Sequence, residues 1–163
     1  MLMSAILSGC KKYRYKLGRE VDPFKETTIA YFGVNPSTAE ASIDDATVRK
    51  WRGFAERNNA KRFIVGNVFA YRATDVKELS KTLNPIGLEN DKYLNYIIAE
   101  ADMLIPCWGS RTKLPKHLRC ELDRVMQLLK DSGKPIFCLG TTISGDPKHP
   151  LTLGYNTKLI EWK

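Results

Sequence analysis

Two amides, a histidine and an arginine are the residues of this chain whose types and surroundings suit chemistry on a planar polar ligand. Asn35 stands in Gly33-Val34-Asn35-Pro36-Ser37, Asn67 is followed shortly by Tyr71-Arg72, and His149 precedes Pro150. An asparagine presents a donor and an acceptor on one planar group, the combination that reads the edge of a nucleobase. A neutral imidazole can donate to an oxyanion as a base leaves a sugar, and a guanidinium can hold a phosphate. Pro36 holds the Asn35 segment rigid, while Ser37 and Thr141 add hydroxyls. Asp44 and Asp45 are spare carboxylates: either could supply the general base that an amide cannot, or cap the helix that follows them. Tyr31, Trp51, Phe54, Phe69, Tyr71 and Trp108 are candidates to stack on a base, although the core claims most aromatics.

These residues punctuate the ends of apolar runs. Thr28-Ile29-Ala30-Tyr31-Phe32 has the β-branched, aromatic composition of a buried strand. Strands are predicted at 28–33, 62–68, 103–108 and 135–140, with a further one at 157–162. The third ends in Trp108-Gly109-Ser110 and the fourth in Gly140-Thr141-Thr142. Helical spacing lies between them: Val48, Trp51, Phe54 and Ala55; then Leu94, Ile97, Ile98 and Ala101; then Leu118, Leu122, Val125 and Leu129, stopped by Gly133 and Pro135. Asp75 opens a short helix holding Leu79. The alternation predicts one α/β domain over residues 1–163, three layers deep, with a four-stranded, mostly parallel central sheet. The segment with Tyr13 and Tyr15 adds an edge strand. The strand ends then share one rim, where open α/β sheets bind their ligands.

Composition narrows the partners. With 43% hydrophobic and 27% charged residues in 163, the chain can bury a core and is not a disordered segment. No apolar run reaches membrane-spanning length, and Met1–Leu7 has no basic stretch before it, so it reads as a strand or helix packed on the body rather than as a leader. A cytoplasmic protein is expected. The net charge of +8 gathers in Lys11, Lys12, Arg14, Lys16 and Arg19, interleaved with Tyr13 and Tyr15, and in Arg111, Lys113, Lys116, His117 and Arg119. Cations beside aromatics suit a phosphate backbone with exposed bases, so nucleic acid or a free nucleotide is the expected partner. None of the four cysteines forms a C-x-x-C pair. Cys107 and Cys138 read as core residues, and neither metal nor cofactor is expected.

Over nearly its whole length the chain resembles the bacterial and phage family known as domain of unknown function 1643. The carrying segments are Tyr31 to Ala39, Asp44-Asp45-Ala46-Thr47, Asn67 to Asp75, Glu89-Asn90-Asp91, Trp108-Gly109 and His149-Pro150-Leu151. More distantly it resembles the uracil-DNA glycosylase superfamily, in Gly33-Val34-Asn35-Pro36, in Asn67-Val68-Phe69-Ala70-Tyr71-Arg72 and in the late His149-Pro150. That resemblance implies a uracil-DNA-glycosylase-like fold. It implies that Asn35 positions the attacking water, that Asn67 reads the base edge and that His149 stabilises charge on the departing base. The departures are Asn35 where the efficient members carry Asp, Ser37 where they carry Gly, and Leu151-Thr152 where they carry Ser-Pro.

Three functions fit these residues. The first is an N-glycosylase acting on a uracil-like or modified base in nucleic acid, with the base flipped into the pocket. The second is a module that binds a nucleotide or modified DNA without cleaving it. The third is a hydrolase or transferase of small nucleotides on the same frame. For all three the site residues are Asn35, His149 and Asp45 for chemistry, and Asn67, Ser37, Pro36, Tyr71, Arg72, Trp108 and Thr141 for binding.

Overall fold

Strand β3, Thr27–Gly33, is the axis of the molecule. It pairs in parallel with β4, Ala60–Asn67, on one side and with β5, Met103–Pro106, on the other. The computed structural model describes residues 2–37, 39 and 41–163; Met1 of the apolar start and Thr38 of the Gly33–Ala39 motif lie outside the described residues. Two N-terminal strands, β1 (Met3–Leu7) and β2 (Arg14–Glu20), continue the sheet antiparallel beyond β4, giving the order β1-β2-β4-β3-β5. The sheet is therefore mixed and five-stranded, rather than four-stranded and mostly parallel. The run at 135–140 forms only a short strand, β6 (Phe137–Cys138), which pairs with β7 (Ile160–Glu161) and reaches β5 through the single bridge Leu104–Ile136. Pro135 and Gly140 hem that run in, and Gly140 turns away at φ 106°, so it stays too short to extend the ladder.

Alternation along β3 assigns the layers. Ile29 and Tyr31 face helix α1, Ala46–Arg57, and pack with Val48, Trp51 and Ala55. Ala30 and Phe32 face α2, Asn90–Glu100, and α3, Cys120–Asp131, packing with Leu94, Ile97 and Val125. Helices thus cover both faces, as the periodicity predicts. Tyr31, Trp51, Phe54 and Phe69 are all below 5% exposed, so these aromatics belong to the core. Cys107 and Cys138 are also buried, and burial pushes the Cys107 thiol up to about 12. Among the described residues no helix is long and apolar enough to cross a membrane.

The order places a switch point. From β3 the chain crosses by α1 to β4 on one side, then by α2 to β5 on the other. At such a reversal the connections leave in opposite directions and open a crevice beyond the carboxyl ends of the diverging strands. Here those are the exits of β3 and β5.

Candidate functional site

A cavity of about 330 Å³ occupies that crevice, within the range of small-molecule sites. Asn35 and Ser37 line it from the β3 exit, Trp108 and Gly109 from the β5 exit, and His149 from the strap after β6. Ala73 and Thr74 close the side towards β4. The residues Asn35 and His149 are 114 positions apart in sequence, and the topology brings them to one cavity.

Asn35 is held in one orientation. Its Nδ2 donates to Ala73 O at 2.7 Å and to Pro36 O at 3.1 Å. Both partners are carbonyls, so the amide nitrogen must face them, and both of its hydrogens are used. What Asn35 retains for a ligand is the acceptor Oδ1.

His149 has the opposite character. Its Nδ1 accepts from Leu151 N–H at 3.2 Å, at the start of the short 3₁₀ turn Pro150–Thr152. In the neutral ring that contact puts the proton on Nε2, which becomes a donor. Burial lowers the His149 pKa first and the Lys113 ammonium lowers it further, against the opposing pull of Asp45. The ring is thereby kept neutral at physiological pH.

One clamp sets the His149 wall, and a second lies behind the cavity. Gly109, at φ 79°, lies against the strap: a Cβ there would come within 3.3 Å of His149 Cβ. Gly109 N–H donates to Pro147 O at 2.9 Å. Behind the strap, buried Asp146 accepts from Arg111 N–H at 2.8 Å and from Arg111 Nε at 3.0 Å, while Arg111 also grips Asp123 at 2.8 Å. Burial by itself raises the Asp146 carboxyl, but Arg111 and Ser144 together hold it below its ordinary value. Behind the Ser37–Asp45 link, outside the lining, Arg14 and Arg19 of β2 are 2% and 1% exposed. Arg14 donates to Ala39 O at 2.7 Å, and Arg19 Nε donates to Asp44 Oδ1 at 2.8 Å. Desolvation lowers the Arg14 pKa to about 10.

The basic cluster of the N-terminus therefore divides. Arg14 and Arg19 face inward, and Lys16 pairs with Glu100 at 2.9 Å. Tyr13 and Tyr15 stack on each other, and Tyr15 also stacks on Tyr93, rather than standing open.

The remaining predicted residues take distinct places. Asp45 caps α1, accepting from Val48 N–H at 2.9 Å, and its other oxygen accepts from Ser37 Oγ at 2.6 Å. It reaches the crevice only through Ser37. Trp108 is 5% exposed, lines the cavity, and has a buried indole N–H with no partner among the described residues. Pro36 is buried under the β3 exit. Tyr71 and Arg72 line a neighbouring cavity instead. Asn67 is not brought into the crevice: it is 2% exposed, with Oδ1 2.8 Å from where a Cβ of Gly33 would stand and, among the described residues, without a hydrogen-bond partner. The period of two turns its side chain to the Trp51 face of the sheet. Thr141 also lies elsewhere, in a turn bridged to Pro147 and in a depression beside Cys138 and Trp162. Sequence reasoning passed over Gly109 and the Arg111–Asp146 clamp. Only the glycine after Trp108 gave a local signal for either.

The chain belongs to the family described as Protein of unknown function (DUF1643), whose profile matches residues 14–151. That stretch contains every strand of the parallel core and both His149 and Asn35. No curated protein and no solved structure matches the chain.

Proposed function

We propose that this protein recognises a nucleobase in the crevice between β3 and β5 and hydrolyses the bond joining that base to its sugar in nucleic acid. The observation that carries the reading is the complementarity of Asn35 and His149: a fixed acceptor and a fixed donor on one cavity. Water accepted by Asn35 Oδ1 attacks the anomeric carbon. The carbon–nitrogen bond breaks, its electron pair passes to the base, and His149 Nε2–H donates to the base oxygen that gathers the charge. The water proton leaves by Ser37 Oγ to Asp45, the carboxylate already bonded to it. Trp108 supplies an apolar wall with an indole donor. The parallel core, with Asn35-Pro36 at its first exit and His149-Pro150 on the same rim, supports a uracil-DNA-glycosylase-like frame.

One observation favours recognition without cleavage. Both oxygens of Asp45 are engaged, one on the helix cap and one on Ser37, so among the described residues the carboxylate linked to the crevice has a structural duty. Oligonucleotides carrying uracil, mismatched or modified bases separate the two readings, with abasic-site formation as the assay. Hydrolysis predicts abasic product, reduced at least about a hundredfold in Asn35→Ala. Tight binding with no abasic product selects recognition alone, and full turnover by Asn35→Ala removes that residue from the mechanism. The Asn35→Asp change is informative in the other direction. A carboxylate cannot donate to Ala73 O and Pro36 O, so it is expected to lower turnover here despite the stronger charge.

A further inference from the structure

We propose that the cavity beside the crevice, walled by Lys11, Lys12, Tyr71 and Arg72, binds the phosphate of the nucleotide whose base enters the crevice. This rests on the crevice being a base site. The second cavity measures about 580 Å³, and Ser37, Ala73 and Thr74 line both cavities. A ligand can therefore cross from one to the other over a single ridge.

The lysines are held there by the fold. Arg72 N–H donates to Lys12 O at 2.9 Å, and Arg72 Nη1 donates to Lys11 O at 3.2 Å. These bonds tie the β1–β2 turn to the segment leaving β4. Lys11 adopts φ 59°, and its N–H donates to Ser8 O at 2.9 Å. A left-handed backbone is unfavourable for lysine, so the turn is not there by default; the Arg72 bonds and the Ser8 contact hold it. Both lysines are exposed, and among the described residues neither is in an ion pair. The two carboxylates of the lining are turned to other duties: Asp75 Oδ1 caps Lys77 N–H at 2.9 Å, and Glu78 pairs with Lys81 at 3.4 Å. Tyr71 adds an aromatic wall, set edge-on against Tyr13. Ammonium groups beside an aromatic ring match a nucleic acid strand or a nucleotide phosphate. Two sources share that chemistry, a phosphodiester within a strand and the phosphate of a free nucleotide.

The test uses the full chain and the double variant Lys11→Glu/Lys12→Glu, with thermal unfolding to confirm that both fold. Binding of a fluorescent single-stranded twelve-mer containing deoxyuridine is followed by anisotropy across a salt series, beside calorimetry with deoxyuridine and its 5′-monophosphate. The proposal expects the double variant to bind the twelve-mer at least about tenfold more weakly and to flatten the log–log salt slope by roughly 1–2, the share of two phosphate contacts. A strand as the source shows as twelve-mer binding well above the monophosphate. A free nucleotide shows as a monophosphate advantage over deoxyuridine that the variant erases. Equal affinity and equal slope in the two proteins, or no binding of any probe by the unaltered chain, overturns the proposal. The crevice reading fails separately: salt-dependent binding that is lost in the lysine variant but indifferent to His149→Ala and to base identity leaves the phosphate site standing alone.

Discussion

Arg19 holds Asp44, the neighbour of the Asp45 that Ser37 links to the crevice, from inside the protein, whereas Arg111 holds the His149 wall from its surface. The Arg19 side chain is fully buried and meets Asp44, Ser4 O, Gly18 O and Ile43 O. The Arg111 side chain is 33% exposed and shares two carboxylates, Asp123 and Asp146. The first clamp is built into β2 and cannot fail without disturbing the sheet. The second fastens one loop to another, with solvent on one side. The Asp44–Asp45 segment is thus fastened to the sheet, while the wall carrying His149 can be loosened with the core intact. The contrast is sharpened or broken by changing one clamp at a time.

Arg19→Met should have the largest effect. It removes a fully buried guanidinium that three carbonyls share with Asp44, itself 19% exposed and still facing Arg52 at 3.6 Å, and such losses cost about 3 kcal/mol. Urea unfolding measures it. A loss under about 1 kcal/mol would mean that the inner clamp is no stronger than the outer one.

Asp146→Asn should cost less, about 1–3 kcal/mol, because Arg111 keeps Asp123. Its effect should also depend on pH. The Asp146 pKa is lowered in the folded protein. Its contribution is then fully present above the unfolded carboxyl value, near about 4, and is lost as pH falls through the lower folded value. The gap between parent and variant should therefore be wide at neutral pH and close in acid. A gap that stays constant into acid would detach Arg111 from the clamp.

Gly109→Ala comes next, at about 1–2 kcal/mol for a side chain forced to positive φ. Since the new Cβ meets His149, ligand affinity should fall by more than stability does. Equal losses would mean that the strap is not a separate wall.

How far the sequence discloses this arrangement follows from where each signal is local. The β3, β4 and β5 runs, the helix faces and the Asp45 cap are local patterns, and they stand where the patterns place them. The position of Asn35 was legible because Asn-Pro ends a buried strand. His149-Pro150 reads as the segment after the fourth strand end, and the strap after β6 brings His149 to the cavity. The β1–β2 pair was only partly visible, since β2, Arg14–Glu20, carries four charged residues in seven and reads as a solvated face. Arg14 and Arg19 are buried against Ala39 O, Ile43 O and Asp44, contacts that no window of sequence contains. Asn67 failed for a simpler reason. Its strand end lies on the rim, but the pleat sends the side chain to the α1 face, and a one-residue difference in register decides that.

The smallest expected effect tests the crevice at its most specific point. His149 carries a lowered pKa from burial first and Lys113 second, with Asp45 pulling the other way. Lys113→Ala should therefore move the midpoint of the His149 ring resonance upward in an NMR titration, and Asp45→Asn should move it downward. The two shifts are opposite in sign, so a general loosening of the strap, which would raise both midpoints by restoring solvent, cannot imitate the pair. Because the folded value lies below the unfolded one, near about 6.5, the unfolded chain takes up its proton first as pH falls. The strap then loses stability below that point and regains it above. Protonation also turns Nδ1 into a donor facing the Leu151 N–H, so the same titration should release the turn at Pro150–Thr152. If the Leu151 amide keeps its shift while the ring protonates, Nδ1 is not the acceptor, and the Nε2 donor assigned to the crevice falls with it.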